Sequence, residues 1–325
     1  MAGTDTGYFD TSITGFLALK RSLGYLYLIN ESHLENLKRF ITERYPDAQS
    51  LDEEIVVAWA ARRDDESSAS IARRISTIRE FARYLISIGD EAYILPGAYT
   101  PKTTRYIPHS FTRDEIGSFF RALDQQFLPK DSDLTRHFDA RAAFRIMYCC
   151  GLRPGEVTGL KREDVDLVFG RLFIKDTKGR RERVAPFDEG LRVYLSHYDN
   201  EVCGIENRTH FICGKNGGSR KAVEIGHWFR EIWDVLCGFG ITQHNKARAY
   251  DLRHHHPSRR LKLWMDEGVD IASKQVYLMA YMGHKQFKET DYYIHLTEDM
   301  FDHLTQTMEE IGSVYWHGIK EDCGE

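Results

Sequence analysis

The chain has six cysteines, and no two of them form a CxxC pair: Cys149, Cys150, Cys203, Cys213, Cys237 and Cys323. Such spacing argues against zinc ligation and against a disulfide framework, and it reads as reduced thiols. No apolar run approaches the roughly 18 residues that a membrane helix needs; the longest resemble Ile55 to Ala61. The opening MAGTDTGYFD lacks the basic and apolar parts of a signal peptide. The expectation is a soluble, cytoplasmic protein with no membrane partner. A Walker loop is missing too, since Gly214-Lys-Asn-Gly-Gly218 lacks the GxxxxGK[ST] order and reads as a turn. No carboxylate cluster demands a metal. His254, His255 and His256 are consecutive, but on a helix neighbours point about 100° apart and do not converge on one ion. Internal repeats and low-complexity tracts are absent.

The chain also lacks a net positive charge, with 44 Lys and Arg against 49 Asp and Glu, a formal −5. The charge is unevenly spread. Thr297 to Glu325 holds eight acidic residues and one basic, which leaves the rest of the chain at +2. Arg171 to Phe187 carries six basic and two acidic residues, and Asn245 to Lys262 six and one. Local surplus of this kind, more than the global sum, decides whether a surface meets phosphate.

A length of 325 residues suggests two domains, because single cores rarely grow past about 250 residues. Residues 1–90 read as a helical domain. Apolar residues recur at helical spacing as Ile13, Phe16, Leu17, Leu23, then Leu34, Leu37, Phe40, Ile41, then Ile55, Val56, Trp59, and most clearly as Ile71, Ile75, Ile78, Phe81, Leu85. Arg73, Arg74 and Arg79 accompany that last stripe. They are either solvated side chains of a core helix or a face lying on a DNA backbone. Residues 91–110, with Pro96, Gly97, Pro101 and Pro108, read as a linker. Thr112 with Glu115 then forms a capping-box pattern that opens a second domain, residues 111–325. That domain reads as mostly helical with a hairpin over Leu172 to Phe187 and a further turn over Gly214 to Ser219.

Four segments of this domain carry chemistry: Cys150-Gly-Leu-Arg153-Pro-Gly-Glu156, then Lys175-Asp-Thr-Lys178-Gly-Arg180-Arg181-Glu-Arg183, then Tyr250-Asp-Leu-Arg253-His254, and Tyr281-Met-Gly283-His284 followed by Tyr293. Each alone is weak; together and in this order they resemble the catalytic domain of the tyrosine recombinases, the phage-integrase family. The likeness spans about residues 111 to 300, and the helical first domain resembles the family's core-binding domain. The implied fold is mainly α, with a helical core-binding domain and a mostly helical catalytic domain containing a small antiparallel β-sheet.

The resemblance implies that Arg153 and Arg253 are the family's two phosphate-binding arginines, that Lys178 is its hairpin lysine, and that His284 is its later histidine. Tyr293, nine residues beyond His284, matches the nucleophile; the adjacent Tyr292 is a rival that spacing disfavours. Two planar guanidinium groups suit the oxygens of a phosphodiester under attack, a phenol suits a covalent phosphotyrosine, and a lysine suits protonation of the leaving 5′-oxygen. Arg180 and Arg181 are added as DNA-binding candidates. The family reading implies double-stranded recombination sites, a homotetramer on DNA, accessory DNA-bending proteins as further candidate partners, a bacterial nucleoid setting, and neither metal nor other cofactor.

Two departures stand out. Tyr250 occupies a position where the family usually has histidine, and a phenol with pKa near 10 is a poor proton shuttle. Arg253 and His284 are 31 residues apart and Pro257 intervenes, so a helix is expected to begin near Pro257. The spacing looks more like recombinases of transposons and integrative elements than like the Xer type. Two other functions remain open: a DNA-binding accessory protein impaired in catalysis by Tyr250, and a type IB topoisomerase-like strand transferase. Phe301, Leu304, Met308 and Ile311 form a further apolar stripe, expected to pack on its own domain or on a neighbouring protomer.

Overall fold

The computed structural model describes residues 7–64, 66–103, 106–125, 127, 133, 135–175, 182–284, 286 and 289–290. The chain divides into two compact units, Met1–Tyr106 and Ile107–Glu325, so the division falls inside the stretch read as linker.

The first unit holds four helices: α1 (Gly7–Ser22), α2 (Leu28–Arg44), α3 (Glu53–Ala60) and α4 (Ser68–Ser87). Their apolar stripes meet in one core that includes Phe16, Leu34, Leu37, Ile55, Trp59, Ile75, Phe81 and Leu85. Leu23, expected on the buried stripe of α1, is instead 63% exposed; α1 ends at Ser22, and Leu23 lies in the turn beyond it. Asp52 and Ser67 cap α3 and α4 by accepting the backbone N–H of Ile55 and Ser70, which supplies acceptors for orphaned N-terminal donors. Residues beyond α4 return to this unit: Tyr93 N–H donates to Leu51 C=O at 2.7 Å, and Leu95 is buried in the core.

Two arginines of α4 are anchored here. Arg74, read from the sequence as a DNA-facing candidate, is only 3% exposed. Its guanidinium takes both oxygens of Glu66, at 3.0 and 2.6 Å, and also donates to the carbonyls of Trp59 and Ala61. It is therefore an internal brace between α4 and the end of α3, and that reading is corrected. A helical stripe cannot show from the sequence which arginines turn inward. Arg79 donates to Leu95 C=O, Pro96 C=O and Thr100 Oγ1, tying the segment after α4 to the helix. Arg73 is exposed.

The second unit contains α5 (Arg113–Gln125), α6 (Arg136–Cys150), α7 (Pro154–Gly159), strands β1 (Val165–Asp166), β2 (Arg171–Ile174) and β3 (Arg183–Pro186), then α8 (Glu189–Glu201), α9 (Ala222–Gly238), α10 (Ala249–Asp266) and α11 (Ile271–Met282). The sheet is antiparallel in the order β1-β2-β3, with Leu172 opposite Ala185 and Ile174 opposite Arg183. The expected hairpin is thus present, and the Gly214–Ser219 turn closes through a Cys213–Ser219 bridge. The capping box at α5 is complete: Glu115 N–H donates to Thr112 Oγ1 and Thr112 N–H to Glu115 Oε2. α6 is buried along much of its length against the core formed by Phe119, Phe144, Phe229 and Trp233.

α10 does not start at Pro257 as expected. It starts at Ala249 and runs through the proline. The cost is one backbone donor and a local clash. Buried packing at Leu252, Pro257 and Leu261 on the same helix holds it in place. The three consecutive histidines diverge: the His254 ring lies 5.0 Å from Tyr250, His255 stacks on Tyr148 and His256 on Tyr281.

Candidate active site

Arginines from the start of α7, from β3 and from α10 of the second unit meet at one carboxylate. α6 ends at Gly151, whose φ of +63° closes the helix with a left-handed residue. A Cβ there would lie 3.0 Å from Met282 Sδ and 3.1 Å from His256, so only glycine fits. Two residues later Arg153 starts α7. Its backbone N–H donates to Glu156 Oε2 at 2.9 Å and its Nη1 to Glu156 Oε1 at 2.7 Å. Pro154 suits the first helical turn, where its missing N–H costs nothing.

Glu156 also receives Arg183 from β3, which grips both its oxygens at 3.0 and 2.8 Å. Arg253 from α10 lies 3.5 Å away. One buried carboxylate thus faces three guanidinium groups. Burial raises its pKa, but hydrogen bonds and charge from Arg183, then Arg253, outweigh that and hold it at about 2. It stays ionised, and the cluster keeps a surplus of positive charge.

Arg253 is 1% exposed and donates to Gly151 C=O and Met282 C=O, both at 2.6 Å. It joins the end of α6 to the end of α11. α11 stops at Gly283, with φ +65°, and His284 follows, 4% exposed, with Nδ1 2.9 Å from Thr290 Oγ1. Burial, followed by the charges of Arg253, Arg153, His254 and Arg183, drives the His284 pKa down to about 3. The imidazole is neutral at neutral pH. It can exchange hydrogen bonds with a phosphate oxygen without adding charge. Tyr250, on the first turn of α10, lies within reach of Arg153.

Residues 110–300 match the phage integrase family, and residues 31–89 match its N-terminal SAM-like domain.

The chain belongs to the phage integrase family.

Relatives agree. The tyrosine recombinase XerC of Chlorobaculum tepidum is 30% identical over 248 residues, 70% of this chain and 69% of that protein. XerC of Escherichia coli O157:H7 is 28% identical over 296 residues, 89% and 91% of the two chains. A putative integrase/recombinase, y4rB, of Sinorhizobium fredii is 24% identical over 88% of this chain and 92% of its own. Among solved structures, the Tn1549 transposon integrase in complex with transposon right end DNA superposes with a TM-score of 0.61 at 16% identity, covering 92% of this chain and 99% of that one. A lambda integrase dimer on a COC′ core site gives 0.61 at 16% identity, over 87% and 76%. These likenesses carry the mainly helical fold with its small antiparallel sheet. The chain is a tyrosine site-specific recombinase, and neither alternative function is favoured. Xer proteins and a transposon integrase both stand among the similar proteins.

Of the residues singled out in the sequence, Arg153, Arg253, His284 and Tyr250 surround one site. Lys178, Arg180, Arg181, Tyr292 and Tyr293, with the apolar stripe Phe301 to Ile311, lie outside the described residues. From the sequence, Arg183 is one more basic residue of the hairpin, and Glu156 is either a support for Arg153 or a plain helix-start acid. The signal for Arg183 was its place in the basic hairpin strand, but nothing in the sequence says that it turns inward. Among the described residues no group of three or more His, Cys, Asp or Glu side chains could hold a metal, and no helix is long and apolar enough to cross a membrane.

Proposed function

We propose that this recombinase cuts and rejoins DNA at defined sites through a 3′-phosphotyrosyl bond to Tyr293. The observation that carries the reading is the pairing of Arg153 and Arg253 on one carboxylate beside the neutral, buried His284. In the attack the Tyr293 phenol gives up its proton to solvent as its oxygen bonds to phosphorus, while the bond from phosphorus to the 5′-oxygen breaks. Arg153 and Arg253 stabilise the charge that gathers on the non-bridging oxygens, His284 hydrogen-bonds one of them, and Lys178 delivers a proton to the leaving 5′-oxygen. The bond energy stays in the phosphotyrosine, so a returning 5′-hydroxyl reverses the step without ATP. Tyr250 holds Arg153 in line in place of a histidine. Residues 1–90 serve as the core-binding domain and 111–325 as the catalytic domain, joined by 91–110.

On the first unit, exposed Arg39, Arg44, Arg62, Arg63 and Arg73 suit DNA phosphates better than Arg74 and Arg79. The first four line a cleft of about 620 Å³ with Trp59 and Phe40. Arg180 and Arg181 add to the DNA contact beside Lys178. The working form is a homotetramer joining two sites, aided by DNA-bending proteins, in the bacterial nucleoid, and the substrate is a mobile element that integrates, excises or transposes.

Covalent capture tests this. The protein is incubated with fragmented genomic DNA, denatured in SDS, and the attached DNA is sequenced. An adduct that survives EDTA and disappears in Tyr293→Phe but not in Tyr292→Phe is expected. Loss only in Tyr292→Phe would move the nucleophile. No adduct even on a nicked trapping duplex would sink the reading.

A further inference from the structure

Arg183 differs from the two arginines it neighbours. Its side chain is 8% exposed, against 28% for Arg153. It meets Glu156 as a two-pronged fork on both oxygens, whereas the Arg153 guanidinium reaches one oxygen with one nitrogen. Its third nitrogen, Nε, donates to Tyr281 C=O at 2.8 Å, one residue before the carbonyl that Arg253 caps. Those carbonyls close α11, where the chain leaves for His284. The fit is tight: a Cβ on Gly283 would lie 3.1 Å from Arg183 Nη1. Arg183 also opens β3, five positions along the chain from Lys178. One buried guanidinium thus ties the strand after the lysine hairpin, the carboxylate behind Arg153 and the helix end before His284.

We propose that Arg183 is a positioning residue of the recombinase: it is the permanent counter-ion of Glu156, and so leaves Arg153 free to turn to the scissile phosphate. The inference rests on the reading of Arg153 and Arg253 as phosphate ligands. The physical argument is competition. A buried carboxylate needs a partner at all times. With Arg183 in place, Glu156 keeps a bidentate partner when Arg153 leaves for the phosphate. Without it, Glu156 must hold Arg153 and draw on Arg253, and phosphate must compete with a carboxylate for both. Arg183 itself, enclosed by Glu156 and the α11 carbonyl, does not contact DNA.

The test is single-turnover adduct formation on a nicked trapping duplex, together with DNA affinity, for wild type, Arg183→Gln, Arg183→Lys, Glu156→Gln and the double variant Arg183→Gln/Glu156→Gln. Arg183→Gln is expected to lower the cleavage rate at saturating protein by about 30-fold or more, the scale on which misplaced catalytic groups lose rate, with the dissociation constant changed less than about threefold. Arg183→Lys keeps the charge but not the fork and is expected to lose about fivefold. The decisive readout is recovery: removing the Glu156 charge in the Arg183→Gln background should raise the rate by about threefold or more, because no carboxylate then competes for Arg153. A double variant no better than Arg183→Gln, or a rate that falls and recovers only in step with urea-unfolding stability, is what a merely structural arginine predicts. Such a result, or wild-type cleavage by Arg183→Gln, overturns the proposal. If Arg183→Gln does not fold, Arg183→Lys decides, and cleavage by it at the wild-type rate overturns the proposal. Absence of an adduct with the wild-type protein would instead sink the recombinase mechanism itself, so the two failures are distinguishable.

Discussion

Arg74, inside α4 of the first unit, and Arg153, at the start of α7 in the second, each face a glutamate, yet they do opposite work. Glu66 meets Arg74 one to one in a nearly dry setting, with side chains 3% and 14% exposed. The charges cancel, and the remaining guanidinium donors are spent on carbonyls. Glu156 meets Arg153, Arg183 and Arg253 together. Here the charges do not cancel, and Arg153, the most exposed of the three, is the one free to exchange partners. A balanced pair fixes a fold. An unbalanced cluster invites an anion, and on the proposed mechanism that anion is the scissile phosphate.

The sharpest way to break that comparison is to remove each arginine and read both stability and cleavage. Arg153→Gln should slow adduct formation by about 10²–10³-fold, the scale for losing one donor to a developing oxyanion, with little change in unfolding free energy. Arg74→Met should do the reverse. It removes the charged donors of a partly buried carboxylate and should cost about 2 kcal/mol of stability in urea unfolding, while a folded sample cleaves normally. If Arg74→Met stayed as stable as wild type but lost DNA affinity with a shallower salt dependence, the internal brace would be the wrong assignment.

Acid separates the two glutamates more gently. Glu156 has a folded-state pKa of about 2 against an ordinary value of 4.5. Its stabilisation, about 3 kcal/mol, is present above pH 4.5 and drains away as pH falls from there toward 2. Glu66 is also lowered, chiefly by its hydrogen bonds from Arg74, but it has one cationic partner in contact where Glu156 has three. The stability advantage of wild type over Glu156→Gln should therefore shrink between pH 5 and pH 3, and more steeply than the advantage over Glu66→Gln. Equal slopes would mean that the extra arginines do not stabilise the Glu156 charge.

The sequence showed much of this and hid a definable part. Apolar spacing located the core of all four first-unit helices, because burial on a helix face leaves a period in the sequence. The four chemical segments located Arg153, Arg253 and His284, because helix starts and stops around Gly151, Pro154 and Gly283 have their own signatures. Inward-turned arginines left no such trace. Arg74 looked like a surface residue of an amphipathic helix, and Arg183 like one more charge on a basic hairpin. A guanidinium can be buried only where carboxylates and carbonyls from distant segments meet it, and Glu66, Glu156 and the end of α11 come together only in three dimensions. Pro257 misled for a related reason: local propensity disfavours a helix there, and tertiary packing overrides it.

The smallest expected effect concerns the caps. Ser67 accepts the Ser70 N–H at 3.2 Å in an exposed setting. Thr112 accepts the Glu115 N–H at 3.1 Å, and Glu115 answers by accepting the Thr112 N–H. Glu115 is in turn held by Thr242, which donates to Oε1 at 2.5 Å, and by His109, 3.0 Å from Oε2. Losing an isolated exposed cap costs toward the low end of the usual 0.5–2 kcal/mol. Thr112→Ala keeps the backbone N–H that Glu115 accepts, but it leaves the Glu115 N–H without its acceptor at a residue only 4% exposed. Thr112→Ala should therefore cost about 1 kcal/mol and Ser67→Ala about half that, read from urea midpoints at constant slope. The order matters more than the values. If Ser67→Ala proved the costlier, the network behind Thr112 would be absorbing the loss by rearrangement. The second unit would then be more forgiving in its caps than in the arginine cluster at its active site.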